Sequence, residues 1–172
     1  MKKKSTDYLS KGLVISLILM VVDLIGGFAH LRFESWFKWI GTLILVISLI
    51  ILCIQYGKGK TDGVTFGNVF GYGFKIALFI SVLMIGYTLI SVLVIFPEMK
   101  DQVIQQARAG MEAKGNLSED QIETALSYTN KLFLPIAIVG GFLGTLIFGI
   151  IGSLLGAAFT KKSEPNVFQD NP

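Results

Sequence analysis

The sequence predicts an all-α integral membrane protein, a bundle of four transmembrane helices with a helical extracytoplasmic hairpin between spans three and four. Three observations predict this class. Of the 172 residues, 52% are hydrophobic and 16% are charged, and the mean hydropathy is +0.65, whereas about a quarter of a soluble domain is charged. The apolar residues form long blocks. These blocks do not alternate in polarity as barrel strands do, so they are expected to be helices.

The four blocks are each close to the roughly 20 residues that a helix needs to cross about 30 Å of hydrocarbon. The predicted spans are residues 12–31, 39–56, 74–96 and 132–159. The first block follows Met1-Lys2-Lys3-Lys4 and therefore looks like a secretory signal, but it is longer than a signal's apolar region and lacks a small-residue cleavage site. We expect a retained first span and a single membrane domain over residues 1–172.

The distribution of basic residues predicts the orientation. Lysines flank the spans on the side of both termini, at Lys2, Lys3, Lys4, Lys11, Lys58, Lys60, Lys75, Lys161 and Lys162. The connection over residues 97–131 carries six acidic and four basic side chains. By the positive-inside rule, both termini are cytoplasmic and this connection lies outside. The same rule accounts for a pI near 9.0, so no nucleic-acid partner is predicted.

The outer connection, residues 97–131, has the pattern of two helices. Glu98 to Ala113 is polar with apolar residues at three- and four-residue steps, and Ser118 with Gln121 matches a capping box that begins a helix from Glu119 to about Asn130. The polar face is mostly acidic, unlike that of a membrane-surface helix. Packing on the protein's own outer surface and docking of a partner both remain open.

Asp23 is the one charged residue within the first block. A carboxylate at such a depth is costly and usually faces the bundle interior or marks an ion pathway. It is either a titrating group or ion ligand, or a structural group that locks helices together. Lys38 could extend toward it, and hydroxyl partners are available at Ser48, Ser81, Tyr87, Thr88 and Ser91.

Small residues recur every four positions in the fourth block. One row is Gly140, Gly144, Gly152 and Gly156, interrupted by Phe148, and a second is Gly141, Thr145, Gly149, Ser153 and Ala157. Small residues at this spacing let helix backbones approach closely. The rows therefore predict helix packing, either inside the bundle or between copies in a homo-oligomer.

The segment from Gly63 to Ser81 is rich in glycine and aromatic residues, with Phe66, Phe70 and Phe74 four apart. This spacing places the three rings on one helix face. We expect an amphipathic helix on the inner membrane surface that leads into span three. A re-entrant element lining a pore is the alternative interpretation.

No arrangement of residues suggests catalysis or a bound cofactor. His30 is the only histidine and Cys53 the only cysteine, and Cys53 falls inside the second span. One histidine and one cysteine provide neither a metal-ligand set nor a nucleophile–base pair. We therefore predict a protein that is not an enzyme, with no catalytic residue, no metal and no cofactor.

Several segments resemble one family. Phe66-Gly67-Asn68-Val69-Phe70-Gly71-Tyr72-Gly73, Ser81, Pro97 and Gly115-Asn116-Leu117-Ser118-Glu119-Asp120-Gln121-Ile122-Glu123 together resemble a bacterial family of small four-span proteins catalogued as a domain of unknown function. The resemblance covers about Lys11 to Lys162. It implies a bacterial inner membrane location and supplies no site residues.

The sequence therefore favours a structural or accessory subunit whose partners are the lipid bilayer and a second copy or another membrane protein. An oligomeric small transporter or channel, with Asp23 facing the pathway, is the alternative.

Overall fold

The computed structural model describes residues 7–59 and 64–160. Within those ranges every element of regular secondary structure is a helix. The elements are α1 (Asp7–Phe28), α2 (Ser35–Lys58), α3 (Phe66–Ile90), a π-helical segment (Ser91–Ile95), α4 (Met99–Glu112) and α5 (Glu119–Phe159). The lysines at positions 2–4, 60, 161 and 162, on which the predicted orientation partly rests, lie outside the described residues.

Four helices are long and apolar enough to cross a membrane, namely α1, α2, α3 with its π-helical end, and α5. This confirms the all-α class and the four predicted spans. Most of these helices extend beyond the predicted apolar block, as α2 does by beginning at Ser35. A helix can continue past the apolar block because its hydrogen bonds join backbone groups, whatever the side chains are.

The helix predicted to end at about Asn130 and the span predicted to begin at residue 132 are one continuous element. α5 runs without interruption for 41 residues and contains Pro135. Proline removes one backbone hydrogen bond, to the carbonyl of Lys131. A loop within a membrane-spanning segment would leave many more backbone N–H and C=O groups without hydrogen bonds, so the helix continues through the proline. At 1.5 Å per residue, α5 is about 60 Å long, roughly twice a hydrocarbon core.

The glycine- and aromatic-rich segment is also continuous with its span. α3 begins at Phe66 and runs unbroken to Ile90, so the residues from Phe66 onward form a helix that leads into span three, as predicted, and they do not form a re-entrant element. Gly63 lies outside the described residues. Thr65 caps the helix, since its Oγ1 accepts a hydrogen bond from the Asn68 amide at 3.3 Å.

The chain divides into two compact units. Unit one contains the described residues up to Leu83 and those from Gly144 onward, and its core includes Leu49, Cys53, Val69, Ile76 and Ile80. Unit two contains residues 84–143, with buried side chains at Val92, Phe96, Ile122, Leu126 and Phe133.

Unit one places large apolar side chains outside and small hydroxyl groups inside. Residues with exposed apolar side chains include Leu13, Leu17, Val21, Leu43, Ile47, Ile51, Ile151 and Leu155. The buried hydroxyls of Ser16, Ser81, Ser153 and Thr160 each donate to the carbonyl four residues earlier, at 2.7–2.9 Å. This distribution suits an apolar solvent, in which exposed leucine is stable and buried hydroxyls bond within their own helix.

Candidate functional site

Asp23 forms an ion pair with Arg32. Asp23 lies in α1, and Arg32 lies in the connection to α2. The guanidinium Nη2 of Arg32 donates to Asp23 Oδ2 at 2.5 Å and reaches the main-chain carbonyl of Asp23 at 3.4 Å. The Arg32 side chain is 13% exposed and that of Asp23 is 35% exposed. The pair therefore holds two opposite charges together at the end of α1, mostly away from solvent.

A Schellman turn at the end of α1 brings Arg32 back to Asp23. His30 has a positive φ of 56°. The amide of Leu31 donates to the carbonyl of Gly26 at 2.9 Å, and the amide of His30 donates to the carbonyl of Gly27 at 3.2 Å, which are the two bonds that define this turn. The turn reverses the chain, so that Arg32 lies back over the last turns of α1.

Gly26 lies at the contact between α1 and α2. A Cβ at this position would overlap the ring of Phe37, so any larger residue would require the ring to move. The Phe37 ring also packs edge-on against Trp36, with centroids 5.6 Å apart. We call Asp23, Gly26, His30, Arg32 and Phe37 the arginine corner.

The arginine corner supplies a partner for Asp23 that sequence reasoning missed. The sequence suggested Lys38, which is exposed, and a set of hydroxyls, of which Ser81 donates to the carbonyl of Ala77. The cation that the structure places on the carboxylate is Arg32. The signal was an arginine four residues after the end of α1 at Phe28, but the reversal that brings it back depends on His30 adopting a left-handed conformation.

A second polar cluster joins three helices at the other end of α1. Lys11 Nζ lies 2.8 Å from Asp7 Oδ2 and donates to the Tyr72 hydroxyl at 3.1 Å, and that hydroxyl lies 3.2 Å from Asp7 Oδ2. The Tyr72 ring stacks on Tyr56 of α2 with centroids 4.2 Å apart. We call these four residues the tyrosine end. It ties the beginnings of α1 and α3 to the end of α2.

The small residues of α5 divide by position. Gly149, Gly152 and Gly156 are in close contact with the neighbouring helices of unit one. A Cβ would lie 2.5 Å from Ala77 at Gly149, 3.1 Å from the Val46 backbone at Gly152 and 2.6 Å from the Cys53 Cβ at Gly156. These glycines therefore bring α5 against α2 and α3.

Gly140 and Gly144 belong to the same predicted row as Gly152 and Gly156, but they are not in close contact with a described residue of another helix. A Cβ at either residue would have no described atom within 4 Å. The described part of the chain therefore gives no packing reason for glycine at these two positions.

The thiol of Cys53 and the hydroxyl of Ser153 pack closely against Gly73 of α3. A Cβ at Gly73 would lie 2.6 Å from Cys53 Sγ and 2.7 Å from Ser153 Oγ. Since Ser153 donates to the carbonyl of Gly149 and Cys53 is fully buried, this is a close contact of three helices.

Unit two contains a helical hairpin in which Arg108 links α4 to the beginning of α5. Its Nη1 lies 2.7 Å from Glu119 and 3.6 Å from Glu112, and Nη2 lies 3.9 Å from Glu123. The hydrogen bond to Glu119 is the main reason that the pKa of Arg108 rises above its usual range.

The predicted capping box at the start of α5 is present. The Ser118 amide donates to Gln121 Oε1 at 2.9 Å, and the Gln121 amide donates to Ser118 Oγ at 3.4 Å. These reciprocal bonds satisfy two donors at the start of the helix.

Among the described residues, no group of three or more histidine, cysteine, aspartate or glutamate side chains is placed to hold a metal ion. In unit one, Asp23 instead pairs with Arg32 at the arginine corner, and Asp7 pairs with Lys11 at the tyrosine end.

Four apolar helices with an apolar exterior and internally bonded hydroxyls define a multi-pass helical membrane protein. The chain belongs to the family described as "Protein of unknown function (DUF4199)", which matches residues 11–162. The role of this membrane protein is therefore unknown at the level of the family. No curated protein and no solved structure matches the chain.

Proposed function

We propose that this chain is a non-enzymatic protein of the bacterial inner membrane that acts as a structural or accessory subunit. The observation that carries the proposal is the bonding of its interior polar groups to one another. Arg32 holds Asp23, and the hydroxyls of Ser16, Ser81 and Ser153 bond within their own helices. Groups bonded in this way stabilise the helices and leave little capacity for binding a polar substrate.

We further propose that both termini are cytoplasmic and that α4 and the beginning of α5 lie outside. Lys58 and Lys75 lie two and three residues beyond Tyr56 and Tyr72 of the tyrosine end. These lysines and the acidic character of residues 97–131 support this orientation. Cysteine accessibility measures it. In a Cys53→Ser background, Lys114→Cys should react with a membrane-impermeant maleimide in intact cells, whereas Lys58→Cys should react only after lysis. The reverse pattern contradicts the orientation.

The surface proposed for a partner contains Gly140 and Gly144, where α5 is open to close approach. The partner is a second copy or another membrane protein, and not nucleic acid. A protein extracted in mild detergent should retain this partner in a fixed ratio. Gly140→Leu with Gly144→Leu should release it, and Gly86→Leu is the matched control because that position also has no described atom within 4 Å. Equal retention by both variants contradicts the proposal.

The second candidate function is an oligomeric small transporter or channel with Asp23 facing the pathway. The 35% exposure of the Asp23 side chain favours it, because an accessible carboxylate in a membrane helix can exchange protons or ions. Proton flux into vesicles with a trapped pH-sensitive dye tests it. A flux that Asp23→Asn abolishes supports transport and displaces the subunit proposal, whereas a parent protein with no flux eliminates the transport function.

A further inference from the structure

One face of α3 carries an exposed charge within the membrane-spanning helix. Gly67, Gly71 and Lys75 are spaced four residues apart and so lie along one side of the helix, which continues to Leu78 and Val82. Lys75, Leu78 and Val82 are exposed. A Cβ at either glycine would have no described atom within 4 Å. We call these five residues the α3 strip.

A row of aromatic rings borders the α3 strip. Phe66, Phe70 and Phe74 each precede a member of the strip by one residue. Their rings stack in sequence, with centroids 6.4 Å and 6.0 Å apart. The two glycines leave open space along the α3 strip, which we call the glycine groove, while Phe70 of the neighbouring row packs against the buried cluster that contains Cys53 and Val69.

Helix geometry favours extension of the Lys75 side chain toward this groove. Side chains on a helix tilt toward its N-terminus, which here means toward Gly71 and Gly67. Lys75 follows the start of α3 by about 14 Å at 1.5 Å per residue. A lysine at such a depth extends its stem along the apolar surface until the ammonium reaches the polar interface. The groove over the two glycines gives that stem its space.

The charged side chains in and near the tyrosine end carry a net positive charge. Asp7 is bound by Lys11. Lys58 and Lys75 are exposed, and none of the ion pairs within residues 7–59 and 64–160 involves either of them. The described residues therefore offer a net positive charge beside the glycine groove and the exposed apolar side chains of Leu78 and Val82.

We propose that the α3 strip binds an anionic phospholipid, whose phosphate pairs with Lys75 over the glycine groove. One acyl chain then lies along Leu78 and Val82. The lipid supplies both features that the strip lacks, a negative charge at the interface and apolar cover below it. This inference rests on membrane embedding and is independent of the subunit and transport functions and of the side on which the tyrosine end lies.

Native mass spectrometry of the full chain tests the proposal, using detergent solutions that contain equal amounts of phosphatidylglycerol and phosphatidylcholine. The parent protein should retain phosphatidylglycerol in preference. Lys75→Gln should lower that retention about fivefold, the contribution of one basic side chain near an anionic lipid surface, and Lys75→Arg should restore it. Gly71→Leu should lower retention by filling the groove, and Gly86→Leu on the same helix is its matched control. Thermal unfolding verifies that each variant is folded.

Three results overturn the proposal. The first is equal retention of the two lipids by the parent protein, and the second is unchanged phosphatidylglycerol retention by Lys75→Gln. The third is a change of oligomeric mass in Gly71→Leu, which assigns the α3 strip to contact with a second copy.

Discussion

Arg32 extends back across nine residues to hold the carboxylate of Asp23 at 2.5 Å, at the end of a helix whose exterior is apolar. A lone carboxylate in such a position costs a few kcal/mol, and a nearby guanidinium reduces this cost by pairing with it. The pair therefore allows a charged residue to remain in a membrane-spanning helix. It also anchors the connection between α1 and α2 to the helix that precedes it.

Breaking this ion pair should destabilise the protein. We expect Asp23→Asn and Arg32→Gln each to cost about 2 kcal/mol of unfolding free energy, less than for a fully buried pair because Asp23 is partly exposed. The double variant should cost less than the sum of the two. Reversible unfolding in detergent measures this cycle, with Lys38→Gln as the exposed control. Additive losses indicate that the pair contributes no coupling energy.

His30 should be replaceable by glycine with a gain in stability. Its φ of 56° costs an L-residue about 1–2 kcal/mol. Glycine avoids this cost, but its greater conformational entropy in the unfolded chain offsets part of the gain in stability. We therefore expect His30→Gly to raise the unfolding free energy by about 0.5–1 kcal/mol. His30→Val should lower it, since β-branched residues tolerate this conformation least.

Ala29→Gly is the control for the histidine variant, because Ala29 has no positive φ to relieve. It should be neutral or destabilising. If His30→Gly destabilises the protein as much as Ala29→Gly does, the left-handed turn contributes nothing to the fold.

The glycines of α5 should respond differently to alanine. At Gly156 the new methyl group would lie 2.6 Å from the Cys53 Cβ and 3.0 Å from the Ile50 Cα, so we expect a loss of about 1–3 kcal/mol. At Gly144 a methyl group meets no described atom within 4 Å, so Gly144→Ala should leave the unfolding free energy of the monomer unchanged. Detergent unfolding measures both. Equal effects at the two positions contradict the division of the glycine row.

Arg108 should control the stability of the hairpin in unit two. Arg108→Gln removes the bond to Glu119, and we expect faster amide hydrogen exchange over residues 99–123. Lys114→Gln, a change of equal charge at an exposed site, should leave exchange unaltered. High salt should imitate the arginine variant, since exposed ion pairs are screened. If neither Arg108→Gln nor high salt changes the exchange rates, Arg108 does not control the stability of the hairpin.

The raised pKa of Arg108 predicts how its contribution depends on pH. A base whose folded pKa is raised contributes stability that is fully present below its unfolded pKa and is lost only as pH rises through the folded value. For Arg108 that window lies above its usual range. The difference in unfolding free energy between the parent and Arg108→Gln should therefore not fall between pH 7 and 10. A decline over that interval, measured by unfolding, would point to another titrating group.

The sequence by itself determined that the exterior of the helices is suited to lipid, that the fold is all-α, and that there are four spans. Hydropathy suffices for these because each span must satisfy its own backbone and expose apolar side chains, whatever its neighbours are. The capping box of Ser118 and Gln121 was equally predictable, since its two residues lie three apart and act locally.

Only the tertiary structure decided which residues meet. The partner of Asp23 depends on the left-handed turn at His30, and the division of the glycine row depends on where α2 and α3 pass α5. The sequence analysis also gave the end of the outer connection and the fourth span as two helices, whereas α5 joins them into one helix that continues through Pro135. Contacts of this kind join residues far apart in sequence, and a hydropathy pattern, which records only each residue's preference for oil or water, contains no information on their pairing.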